Sequence, residues 1–141
     1  LWYRQPLFGK FADSPQFPAI LAKRAGSHTA HGLADALSGL SPGLQDPLWS
    51  DLKSLRVPLA VVCGDLDEKY LSLSQEMCGL ARQSPFLCEE EDVEVHVVQG
   101  VGHCVHIEAP QVVAPILTQF LRRANQRAKC NDTFLKAHSQ E

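Results

Sequence analysis

The sequence predicts an α/β fold built on part of a parallel sheet, and three observations carry this. Val57 to Cys63 is an almost continuous apolar run between Arg56 and Gly64. That texture suits a strand buried on both faces of a helix-covered sheet. Val93, Val95 and Val97 alternate with polar residues, and Val98 follows, which gives a second strand. Leu71 to Arg82 between them has helical spacing, and Pro110 opens another helical stretch after them. Strand–helix–strand–helix is the order of a parallel unit. Two strands do not make a stable sheet alone, so the remaining strands are expected upstream of this sequence.

The chain divides into three parts. Residues 1–55 read as helices and turns with no strand pattern. Ser14-Pro15 is a helix start, followed by Phe17, Ile20, Leu21 and Arg24, with Gly26 at the stop. Leu33, Leu37 and Leu40 mark a second short helix, ended by Ser41-Pro42-Gly43. Asp46-Pro47 repeats the cap-plus-proline signal before Leu48, Trp49, Leu52 and Leu55. Residues 56–124 hold both strands and their helices, and the acidic run Glu89 to Asp92 reads as a solvated loop. The last helix carries Val112, Val113, Ile116, Leu117, Phe120 and Leu121. Arg122, Arg123 and Arg127 lie near its predicted C-terminal end, where they complement the macrodipole. Residues 125–141 read as a polar tail, irregular beyond Cys130.

Composition narrows the function classes. The chain has 141 residues, 45% apolar and 21% charged, which are the proportions of an ordinary globular domain. A net charge of -3 gives no basic footprint for nucleic acid or anionic membrane. No apolar run approaches the ~20 residues needed to span a bilayer. Five cysteines, odd in number and irregularly spaced, read as free thiols. The first residues are no signal or transit peptide and include no Met, so the chain is read as beginning in mid-protein.

Chemistry concentrates at the two strand ends. Gly64-Asp65-Leu66-Asp67 follows the first strand, and Gly100-Val101-Gly102-His103 follows the second. Parallel strands put both tips at one sheet edge, so Asp67 and His103 are expected side by side. A carboxylate that accepts the imidazole Nδ1–H fixes the tautomer and frees the other nitrogen to take a proton from a hydroxyl. Taken singly, Asp67 could be a helix cap and His103 a hydrogen-bonded loop residue. Asp65 is the rival carboxylate and takes the capping or turn role. His106 and Glu108 are expected to brace the loop that holds His103. His103-Cys104-x-His106 lacks a second cluster with zinc-ligand spacing, so no metal is assigned.

These residues resemble the C-terminal half of the α/β-hydrolase family. The resemblance rests on Val57-Pro58, Gly64-x-x-Asp67, Gly100-x-Gly102-His103 and His106-x-Glu108-x-Pro110. It implies a doubly wound sheet with an inserted helical cap, of which residues 1–55 are the later part. Trp2-Tyr3-x-Gln5-Pro6-Leu7-Phe8 and Asp67-Glu68-Lys69-Tyr70 narrow it further. They are similar to stretches of the 2-succinyl-6-hydroxy-2,4-cyclohexadiene-1-carboxylate synthase family of menaquinone and phylloquinone synthesis. In that family the cap supplies an aromatic wall and arginines for a carboxylate-bearing substrate. Trp2, with Tyr3 beside it, and Arg24 match those roles, although all three also suit ordinary cap packing or helix-end electrostatics. The resemblance implies no cofactor.

The expected activity is a carbon–oxygen lyase reaction that eliminates pyruvate, run by a Ser-His-Asp triad with a small-molecule carboxylate as the partner. The chain contains no Gly-x-Ser-x-Gly elbow, so the serine and the upstream half of the fold must come from elsewhere, and the chain alone is expected to be inactive. A generic serine hydrolase and a non-catalytic hydrolase-like binding module are the alternatives. The location is chloroplast for a plant or algal host, as part of a multifunctional plastid protein, and cytoplasm otherwise.

Overall fold

A computed structural model describes residues 2–8 and 11–138, with side chains for 3–6, 8 and 11–127. Its centre is a two-stranded parallel sheet. Strand β1 (Leu59–Gly64) pairs with β2 (Val93–Val98) in a register running from Leu59 opposite Val93 to Gly64 opposite Val98. Both strands therefore end at the same edge, which fixes where the following loops begin.

The N-terminal segment is helical, as its punctuation predicts, but its boundaries shift. Helix α1 spans Phe17–Ser27 and opens on Gln16 with no side-chain cap. Pro18, not Pro15, supplies the pre-set φ in its first turn, and Ser14 precedes the helix in a turn. Helix α2 (Ala30–Gly39) is capped by the Thr29 hydroxyl, which accepts from Gly32 N at 3.1 Å. Trp49–Ser54 forms a 3-10 segment rather than an α-helix, and Asp46 does not cap it.

Helix α3 (Glu68–Ala81) starts three residues before the predicted Leu71, because Asp67 caps it by accepting from Tyr70 N at 3.3 Å. Helix α4 (Val105–Glu108) is a single turn after the second loop. Helix α5 (Pro110–His138) runs through the stretch read as an irregular tail, so that expectation is corrected. Arg123 and Arg127 consequently sit within the helix. They tie it to the sheet side: Arg123 pairs with Glu94, and Arg127 with Asp92. Asp92 is buried and closes a capping box with Glu89, so the acidic run is structured rather than freely solvated.

Three small apolar clusters form the core. Cys78, Ala81, Leu87 and Val93 pack beneath the sheet with Leu59, Val61 and Val95. Val98, Val101 and Ala109 join Val62 and Val105 near the strand ends. Phe8, Phe11 and Cys104 gather Tyr3, Phe17, Ile20 and Ile107, linking the N-terminal segment to the loop after β2. Helix α2 buries no residue; Leu37 and Leu40 are 73% and 72% exposed.

Candidate active site

The site is built where β1 and β2 end. After Gly64 the chain makes a tight turn, in which Asp65 N donates to Val98 O at 3.1 Å and Leu66 N donates to Val101 O at 3.0 Å. The two loops lie so close that a Cβ on Gly64 would meet the Val101 carbonyl oxygen at 2.0 Å. Only glycine allows that approach. Gly100, with φ of +71°, turns the second loop through the left-handed region, so it too favours glycine.

This approach sets Asp67 against His103. Asp67 Oδ2 lies 2.6 Å from His103 Nδ1. The carboxylate is buried at 4% exposure, whereas the imidazole side chain is 33% exposed. Asp67 Oδ1 is engaged at the same time by Tyr70 N, so the helix-cap and dyad readings of Asp67 are both realised. Because Nδ1 faces the carboxylate, Nε2 is the nitrogen left to exchange a proton with a hydroxyl.

Aromatic rings bound the imidazole. Tyr70 lies against it at 4.6 Å between centroids, and Phe8 meets it edge-on at 5.9 Å. In the sequence Tyr70 stands out only as part of a motif; its place three residues after Asp67, in the first turn of α3, is what brings it over the histidine. An open recess of about 500 Å³ beside the dyad is lined by Pro6, Leu66, Asp67, Glu68, Lys69 and Tyr70.

The loop carrying His103 is held through its backbone. Asp65 Oδ1 accepts from Gly100 N at 2.6 Å and from Val101 N at 3.2 Å. Glu108 Oε2 accepts from Gly102 N and its Oε1 from Cys104 N, each at 3.2 Å. Glu108 therefore braces the loop as its position suggests. Asp65 caps no helix and instead ties one loop to the other.

Arg24 and Tyr3 are brought together. The Arg24 guanidinium donates to the Tyr3 hydroxyl and lies 5.4 Å from the centre of its ring. Tyr3 packs edge-on against Phe8, Phe11 and Phe17 at 5.2, 5.7 and 5.6 Å. The same aromatic cluster touches the histidine loop at Cys104. Burial pushes the Cys104 thiol above its ordinary pKa, Glu108 adds to this, and the Arg24 guanidinium opposes it. The Trp2 side chain lies outside the described residues. Among the described residues no group of three His, Cys, Asp or Glu side chains converges to hold a metal ion.

A carboxylate after one parallel strand, hydrogen-bonded to a histidine after the next, is the arrangement of an α/β hydrolase, whose triad follows the chain order Ser, Asp, His. No family model matches the chain. Individual relatives do. It is 31% identical over 121 residues to 2-succinyl-6-hydroxy-2,4-cyclohexadiene-1-carboxylate synthase of Salmonella typhimurium, a match covering 86% of this chain and 42% of that protein. It is 30% identical over 124 residues to Protein PHYLLO, chloroplastic, of Arabidopsis thaliana, covering 88% of this chain and 7% of that protein. The solved structure of MenH from S. aureus superposes with a TM-score of 0.74 and 24% identity, over 88% of this chain and 44% of that one, which shows the fold. The chain thus has the fold of part of an α/β hydrolase and is similar in sequence to these synthases, and it spans less than half the length of the relatives named here.

Proposed function

We propose that the complete protein eliminates pyruvate from 2-succinyl-5-enolpyruvyl-6-hydroxy-3-cyclohexene-1-carboxylate in menaquinone or phylloquinone synthesis. The observation that carries this is the Asp67–His103 hydrogen bond at adjacent strand ends, in a chain whose relatives are named for that synthase. A serine outside this chain completes the triad. His103 Nε2 takes the serine proton while Asp67 holds the imidazole and stabilises its charged form. The serine oxygen then removes a proton from a ring carbon of the substrate. Electrons move into the ring, the ether C–O bond breaks, and the enolpyruvyl group departs and is protonated to pyruvate. Backbone N–H donors outside this chain would stabilise the negative charge that develops.

Arg24, Tyr3 and Trp2 are assigned to the substrate. A guanidinium suits a carboxylate because it donates two parallel hydrogen bonds. Tyr3 orients that guanidinium, and the site needs no cofactor. The rest of the hydrolase fold is the obligatory partner. In a plant host the reading places the protein in the chloroplast, as the name of the Arabidopsis relative says of that protein; in a bacterium it places it in the cytoplasm. No described helix is long and apolar enough to cross a membrane.

The test is to assay the full-length protein for pyruvate release and for simple ester hydrolysis. Pyruvate release is expected to dominate, and His103→Ala is expected to lower it by about 10²-fold or more, as loss of general-base work does. Ester hydrolysis without pyruvate release would replace the lyase reading with an ordinary serine hydrolase. Less than a tenfold loss in His103→Ala would remove the catalytic assignment and favour a binding module.

A further inference from the structure

We propose that Asp65 and Glu108 are positioning residues that set His103 for proton transfer by holding the backbone of its loop. The activity arm of this inference rests on the function proposed above; its structural arm does not.

The loop between β2 and α4 has little stiffness of its own. It contains two glycines, one at φ of +71°, and no strand beyond β2 pairs with it among the described residues. Four of its six amides, at Gly100, Val101, Gly102 and Cys104, donate instead to two carboxylates. Hydrogen bonds to an ionised acceptor are shorter and stronger than neutral ones, so two side chains replace the missing ladder. The two carboxylates sit on opposite sides of the problem. Asp65 belongs to the turn that also presents Asp67, and it grips the loop upstream of His103. Glu108 belongs to the turn of helix that follows, and it grips both neighbours of His103. The imidazole is therefore fixed relative to Asp67 through the backbone as well as through its own hydrogen bond.

The two carboxylates use their oxygens differently. Asp65 engages both amides through one oxygen, Oδ1. An asparagine keeps that oxygen, so Asp65→Asn retains the clasp. Glu108 uses one oxygen for each amide. In Glu108→Gln one of the two N–H groups loses its acceptor and faces an NH₂ donor, so the conservative substitution fails.

The experiment compares Asp65→Ala, Asp65→Asn, Glu108→Ala and Glu108→Gln in the full-length protein, by kcat, KM and amide hydrogen exchange of residues 100–104. Both alanine variants and Glu108→Gln are expected to lose about 10- to 100-fold in kcat with KM within about threefold, the signature of misplacement by around 1 Å. Their loop amides should exchange faster. Asp65→Asn should recover kcat to within about fivefold of the parent and keep its protection. The proposal is overturned if Asp65→Asn falls as far as Asp65→Ala, if Glu108→Gln matches the parent in both kcat and exchange, or if KM rises while kcat holds. Should an alanine variant fail to fold, the contrast between Asp65→Asn and Glu108→Gln decides alone. Should His103→Ala leave turnover intact, the catalytic assignment of His103 fails, and exchange at residues 100–104 still decides the clasp.

Discussion

Gly64 is the residue on which the approach of the two loops depends. A methyl group there would stand 2.0 Å from Val101 O and 2.5 Å from Gly102 O, and both are backbone atoms that cannot swing aside. Gly64→Ala is expected to destabilise the full-length protein by about 3 kcal/mol, the upper range for overpacking, and to separate Asp67 from His103. A thermal melt and turnover check this; an unchanged Tm would show that the loops part without cost. Asp67 and His103 were legible in the sequence because each ends an apolar strand after a glycine. The Asp65 tie was not, since its acceptors' partners are backbone amides 35 and 36 residues away, and no side-chain pattern marks an amide. Tyr70 was visible as a letter, but its place over the imidazole follows only from a helix that starts three residues early.

At the scale of elements, the docking of α5 on β2 has a pH signature. Burial alone would raise the Glu94 carboxyl, but hydrogen bonds from Arg123 and His96 outweigh it and hold the group below its ordinary value of 4.5. A depressed carboxylate contributes stability that is complete above the unfolded value and lost as pH falls through the folded one. Glu94→Gln is therefore expected to lower the Tm of the full-length protein at pH 6, with the gap to the parent narrowing below about pH 4. A gap that persists at pH 3 would assign the loss to packing. Arg123 and Arg127 carry the contact of α5 beyond its apolar stripe. After Phe120 the face turned to the sheet continues with Arg123 and Arg127, spaced one turn apart, so the apolar stripe ends while the contact goes on as ion pairs. Hydrophobic periodicity cannot register a stripe that changes from carbon to charge. The four apolar residues after Pro47 fit a helix, yet Trp49 to Ser54 closes as a 3-10 turn with its N-terminus uncapped by any side chain.

At the scale of the whole molecule, a two-stranded sheet and three small clusters carry a large apolar surface. Leu33, Leu37, Leu40, Leu44 and Leu48 are all exposed, and the sheet has no third strand among the described residues. The 141-residue chain alone is expected to bind a hydrophobic dye and to melt without a cooperative transition, whereas the full-length protein should do neither. A sharp calorimetric peak from the short chain would contradict this. Two strands are fewer than a stable sheet needs, and the strand count in the sequence already says so. What the exposed leucines of α2 pack against was not, because a helical stripe states that a face is apolar and not what covers it.

The clasp has a consequence for how such a site could be re-used. From Leu59 to Glu108 one uninterrupted length of chain carries the carboxylate, the imidazole, the tie between their loops and the brace beyond them. The spacing of Asp67 and His103 is thus inherited as a cassette, set within that one stretch of chain. Phe8 and the Tyr3–Arg24 pair reach it from the N-terminal segment, where new side chains can be tried without redrawing the Asp67–His103 pair. On the proposed function, substrate choice and proton transfer are in this sense written on separable stretches of the same chain.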